Sequence, residues 1–182
     1  MTIIIIIAVI AVLAIWVVGV QRKLVKQEEV CKNGMSQIGV QLSSRWDALT
    51  SLAELIKSYN EHEYKTLQDV IAARTGITGN SSAEEVQKQE GALKDLASRI
   101  NLVVERYPDL KANENYAKAM DSVNTYENQV RMSRMVYNDS VTLYNRIVRQ
   151  FPDSIVAGLF HFTEKPYLEE DKTKTDRPSM AI

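Results

Sequence analysis

The chain has 182 residues, a formal net charge of -1 and 25% charged residues of both signs. It therefore lacks the basic excess that a phosphate-neutralising nucleic-acid interface needs, and no nucleic-acid partner is expected. With one cysteine it cannot build an intramolecular disulfide, and with only 7 Gly and 4 Pro it is expected to fold mostly as helix.

From Ile3 to Val20 the chain is apolar without a single charge. As a helix this run reaches roughly 27 Å, close to the ~30 Å hydrocarbon core of a bilayer. No Lys or Arg precedes it and no small-residue cleavage pattern follows Val20, so residues 1–21 read as a retained single-pass anchor in a cell (inner) membrane. Arg22, Lys23 and Lys26 follow the run directly. The preference of such flanks for the inner side places the soluble part in the cytoplasm, with the periplasmic or extracellular side as the competing topology. Trp16 stands where an indole can rest among headgroups, which supports the span without giving its direction. Cys31 lies about eleven residues beyond the run, too far to be a lipobox cysteine.

Beyond the anchor, apolar residues keep a seven-residue rhythm: Leu24, Cys31, Ile38, Leu52, Tyr59 and Ala73 in one register, Met35, Leu42, Leu49, Ile56 and Val70 in the other. This predicts one coiled-coil or bundle helix from the membrane to about Arg74, ending at Gly76 and the turn residues of 78 to 82. Ser82 and Glu85 form a capping-box pattern for a second helix. Its stripe is Val86, Leu93, Ile100 and Tyr107, closed by Pro108. Asn113 is an N-cap for a third, with Tyr116, Val123, Val130, Tyr137, Tyr144 and Phe151 spaced by seven up to Pro152. The apolar patch 155–162 reads as a short helix or loop packing back on the bundle. From Glu164 to 182 the chain turns polar and reads as a flexible tail.

The expected architecture is all-α, an anchor at 1–21 continuing into an elongated antiparallel bundle over 22–163. With connections at 75 to 82 and 108 to 112, consecutive helices alternate in direction, so the first and third run the same way. The second helix then returns only about halfway down the first, roughly 39 Å. That leaves Leu24, Cys31, Met35, Ile38 and Leu42 as an apolar seam without an internal cover. Parallel copies anchored in one membrane can close such a seam on each other, so a homo-oligomer joined along these five residues is expected.

Four charged residues fall on stripe positions: Arg45, Glu63, Glu127 and Arg134. An unpaired buried charge is costly, which predicts a structural ion-pair network with Glu63 and Arg134 as the cross-helix pair. His62-Glu63 begins like a zinc-protease helix, but the second imidazole position holds Thr66, so no metal site is read. Tyr107, Tyr116, Tyr137 and Tyr144 have helical spacing and read as core aromatics. No phosphate loop, nucleophile–base pair or cofactor motif is present, and neither catalytic residues nor a cofactor are expected.

Several strings carry a resemblance: Gln37-Ile38-x-Val40-Gln41-Leu42-x-x-Arg45-x-Asp47, Tyr59-x-x-His62-Glu63, Ala73-Arg74, Tyr107-Pro108-Asp109-Leu110-Lys111-Ala112-Asn113, Glu127-Asn128, Tyr137-Asn138, Tyr144-Asn145, and Phe151-Pro152 followed by Val156-Ala157. In these the chain resembles the LemA proteins, single-span bacterial membrane proteins with a helical domain. The resemblance implies an elongated helical bundle at a membrane and carries no defined reaction with it. The reading that follows is a noncatalytic, membrane-anchored scaffold or adaptor for protein–protein association or membrane organisation, which self-assembles or binds an unidentified membrane-associated protein. The alternative is a sensor or regulator of a membrane enzyme such as a protease, an idea that comes from the genes found beside some relatives.

Overall fold

The computed structural model describes residues 1–169, which contain helices and no strand. Helix α1 runs without interruption over Thr2–Tyr59, a length of roughly 87 Å. Its first part, with a mean hydropathy of 3.4 over its most apolar window, is long and apolar enough to cross a membrane.

The first helix was expected to continue to about Arg74; it stops at Asn60. That residue adopts an extended conformation, φ -156° and ψ 112°, and its side-chain oxygen accepts from the amides of His62 and Glu63. Asn60 thereby supplies the amide acceptor that opens a new helix, α2, over Glu61–Ala72. The heptad rhythm hid the break because Ile56, Glu63 and Val70 are all buried, on either side of it. Helix α2 folds back along α1, and the loop after it lies on α1 at Gly39, where an added Cβ would overlap the Ile77 carbonyl. Gly79 likewise rests against the Lys32 backbone.

Helix α3, Ala83–Arg106, starts at the expected capping box: Ser82 Oγ accepts from Glu85 N, and Glu85 accepts from Ser82 N at 2.7 Å. It returns to the distal end, where Arg106 meets Glu63. The one-turn helix α4, Pro108–Lys111, leads to the Asn113 cap of α5, Glu114–Arg149. Short helix α6, Asp153–Leu159, follows.

The extra reversal at Asn60 changes every later direction. The chain runs out along α1, back in α2, out in α3 and back in α5, so α5 is antiparallel to α1 rather than parallel as expected. Three contacts fix this register: Arg45 with Glu127, Gly34 with Tyr137, and Gln27 with the Ser140 carbonyl. As the position on α1 falls, its partner on α5 rises.

The apolar seam is consequently closed from within. Leu24, Cys31, Met35, Ile38 and Leu42 are all at most 2% exposed and belong to one continuous core with Tyr137, Val141, Tyr144, Ile147 and Val156. The expectation that a second copy covers them rested on a bare stalk, and the stalk is not bare. Burying each such side chain contributes about 1.5 to 3 kcal/mol, which is sufficient reason for α5 to follow α1 down to the end of its apolar run. The apolar patch near 155, expected at the distal end, lies instead beside the end of the apolar run of α1, with Asp153 3.2 Å from Lys23.

Candidate functional site

Polar side chains gather at three levels of the bundle. At the distal end, Glu63 is 8% exposed and pairs with Arg106 through Oε1 at 3.0 Å and Oε2 at 3.1 Å. Beside it Asn60 donates to the Tyr107 hydroxyl at 2.7 Å and Asn113 donates to the Tyr59 hydroxyl at 3.0 Å. These bonds hold together the two helix breaks, at Asn60 and at Tyr107.

At mid-height, Arg45 of α1 reaches Glu127 of α5 at 3.0 Å, and Glu127 also faces Arg131 at 3.5 Å. Arg134 of α5 pairs with Glu90 of α3 at 2.5 Å and donates to the Glu169 carbonyl. The expected Glu63–Arg134 pair is therefore absent: antiparallel register puts Arg134 near the level of α1 residue 37, roughly 35 Å from the Asn60 end. Of the four predicted network residues, Arg45 and Glu127 meet, Arg134 joins their neighbourhood through Glu90, and Glu63 stands apart. Burial pushes the Arg45 guanidinium below its ordinary value, and the carboxylates of Glu127 and Glu90 oppose that. Its Nε is buried without a hydrogen-bond partner among the described residues.

Close by, Gln89 is 1% exposed and makes three bonds. Its carbonyl accepts from Trp46 Nε1 at 3.1 Å and from Thr75 N at 3.0 Å, while its amide donates to the Ala73 carbonyl at 3.1 Å. One side chain thus ties α1, α3 and the loop after α2. Sequence reasoning passed over it; the available signal was a glutamine three positions after Val86 on the stripe face of α3.

Nearest the apolar run of α1, two asparagines one heptad apart hold the end of the described chain. Asn145 donates to the Lys165 carbonyl and accepts its N–H, both at 2.9 Å. Asn138 does the same for Leu168, again with both bonds at 2.9 Å. Each amide completes the backbone pairing that a neighbouring strand would supply. Leu168 is buried, and Lys165 lies 3.2 Å from Glu28 and over the Tyr144 ring at 5.4 Å. The tail expected to be flexible from 164 is thus seated on α5 over residues 164–169; the expectation for 170–182 lies outside the described residues. Under this segment, burial raises the Cys31 thiol, with Lys165 opposing and Glu28 adding, and pushes the Tyr144 phenol up to about 12.

None of the three groups offers a nucleophile beside a base, and no set of three metal-ligating side chains occurs among the described residues. Their chemistry is mainly cohesive: most of the bonds described join one element to another.

The LemA family model matches residues 34–181, most of the chain and all of the three groups except Glu28 and Cys31. The chain belongs to the LemA family. It is also similar to Protein LemA of Metamycoplasma hominis, 23% identical over 144 residues, which is 77% of this chain and 64% of that protein. The chain thus spans about two thirds of the length of that LemA relative. Tyr137-Asn138 and Tyr144-Asn145, which carry part of the LemA resemblance, are here the pairs that pack the core and clamp residues 164–169.

Proposed function

We propose that this LemA-family chain is a noncatalytic, membrane-anchored helical adaptor that offers the outer face of α5 to a protein partner. One observation carries the reading. Met132, Met135, Val136 and Leu143 are 63%, 58%, 58% and 48% exposed and recur at spacings of three, four and seven along one helix face. Scattered apolar residues on a surface are ordinary, but a stripe of them beside a fully closed core is the mark of an interaction face. The internal polar groups support the same reading, since they stiffen the bundle without forming a reaction centre. The partner presents an apolar helix face and sits in the same membrane, where its height is matched to that of α5.

A photo-crosslinking residue at Met135, compared with one at Lys118, tests this in native membranes. A discrete adduct formed from position 135 and not from 118 is expected. Absence of any adduct from 132, 135, 136 and 143 overturns the adaptor reading.

A further inference from the structure

Among the described residues, a cluster of exposed apolar side chains outside the apolar run of α1 lies at the base of the bundle. Phe151 is 76% exposed, Ile155 59%, Leu159 66% and Phe160 47%. Positions 151, 155 and 159 repeat every four residues, so α6 and the turn before it carry an apolar ridge opposite the face that buries Val156 and Ala157. No element among the described residues covers that ridge.

Its height is fixed by the register of α5 on α1. Gly34 lies against Tyr137 and Arg45 against Glu127, which places Arg149 near the level of residue 22. Everything after Arg149 begins at the end of the apolar run. The anchor confirms the overlap: residues 3 to 15 are exposed, whereas Trp16 and Val17 are half-buried against the core and Val20 is buried. The salt bridge of Lys23 with Asp153 pins α6 there. A helix that shields the last turns of a span must lie at the depth of those turns.

We propose that α6 is a second membrane contact, an interfacial element whose Phe151, Ile155, Leu159 and Phe160 enter the headgroup and upper acyl region of the leaflet beside the anchor. Arg22, Lys26 and Arg146 surround this base, exposed and without an ion pair among the described residues, and they fit anionic headgroups. The bundle is then held at two points, a span and a foot, and cannot swing freely about residue 21. This fixes which way the α5 stripe faces along the membrane plane. The inference rests on the membrane-anchored part of the function reading and is independent of the identity of any protein partner.

The test uses the full chain in vesicles of phosphatidylcholine and phosphatidylglycerol, with Cys31 replaced by Ala and a single environment-sensitive fluorophore on Ile10→Cys, Ile155→Cys, Leu159→Cys or Met132→Cys. The last three positions are exposed, so their labels leave the core undisturbed. Lipids spin-labelled near the headgroup should quench the labels at 155 and 159 strongly and the label at 132 by less than a tenth. Quenching at 10 by deeply labelled lipids reports the span. If the label at 10 is quenched while those at 155 and 159 emit as in water, the foot is wrong and the anchor stands. If 155 and 159 are blue-shifted yet unquenched, a protein covers α6 and the proposal is overturned. If the label at 10 is not quenched, the anchor reading fails and the foot fails with it.

Discussion

Asn145 holds Lys165 by both backbone groups, its amide donating to the carbonyl and its carbonyl accepting the N–H, each at 2.9 Å. Such a contact needs a side chain that carries a donor and an acceptor on one plane. Aspartate offers only acceptors and would set two oxygens face to face, so Asn145→Asp should release residues 164–169 as readily as Asn145→Ala does. A backbone group left unpaired costs about 1 to 3 kcal/mol, enough to open the segment locally. Chymotrypsin should then cut at Tyr167 or Leu168 at least tenfold faster in the Asn138→Ala/Asn145→Ala chain than in the parent, with helicity unchanged. Equal cutting rates would mean that the asparagines do not hold the segment.

The mid-height charges provide a test of register. Arg134 and Glu90 are each about one-fifth exposed or less, so their mutual coupling should be measurable, about 1 to 3 kcal/mol in a cycle of Glu90→Gln and Arg134→Met. The cycle of Glu63→Gln with Arg134→Met should be additive within about 0.5 kcal/mol. Denaturant unfolding of the detergent-solubilised chain measures both, and a reversed ranking would contradict the antiparallel packing of α5 on α1.

These two residues also show where the sequence was legible. The caps at Ser82 and Asn113 and the burial of most heptad-stripe residues followed from local chemistry, capping side chains, Pro108 and Pro152, and apolar spacing, although the stripe members Tyr59, Ala73 and Phe151 are exposed. Tertiary direction hinged on one residue. Asn60 with Glu63 three positions later is an N-terminal signal, but Ile56, Glu63 and Val70 continue the heptad through it and mask the cap. Without the break at Asn60, α5 would run the other way, Glu63 would face Arg134, and the seam from Leu24 to Leu42 would lie bare. The roles of Asn138, Asn145 and Gln89 depend on contacts 14 to 43 residues away, which no local pattern encodes.

Gln89 should be among the least replaceable polar residues. Gln89→Leu preserves bulk but leaves Trp46 Nε1, Thr75 N and the Ala73 carbonyl without their partner. The expected loss is on the order of 2 to 3 kcal/mol, read as a fall in the unfolding midpoint. A variant as stable as the parent would show that water replaces the amide at no cost.

Alkaline stability follows from Tyr144. Its phenol moves from 10.0 to about 12 in the folded chain, mainly through burial, so the neutral form is favoured by folding. The stabilisation is fully present below pH 10 and is lost as pH rises from 10 to about 12. The raised Cys31 thiol acts in the same direction from pH 9 upward. Tyr144→Phe should therefore flatten the decline in melting temperature between pH 10 and 12; an unchanged slope would assign the decline to other groups. In the native chain Cys31, 1% exposed, should resist maleimide at pH 8 and react once unfolded.

The α5 of the same chain lies antiparallel on α1 and closes its seam. Spin labels at Val40→Cys and Met132→Cys, both exposed, measure it directly by pulsed electron resonance in membranes, with the labelled chain diluted in excess unlabelled chain and Cys31 replaced by Ala. Antiparallel packing puts the two positions at nearly the same height on adjacent helices, so a distance of about 20 to 25 Å, one helix separation plus the label arms, should persist on dilution. A distance of about 35 Å or more, as same-direction packing requires, or a short distance that vanishes on dilution, would contradict it.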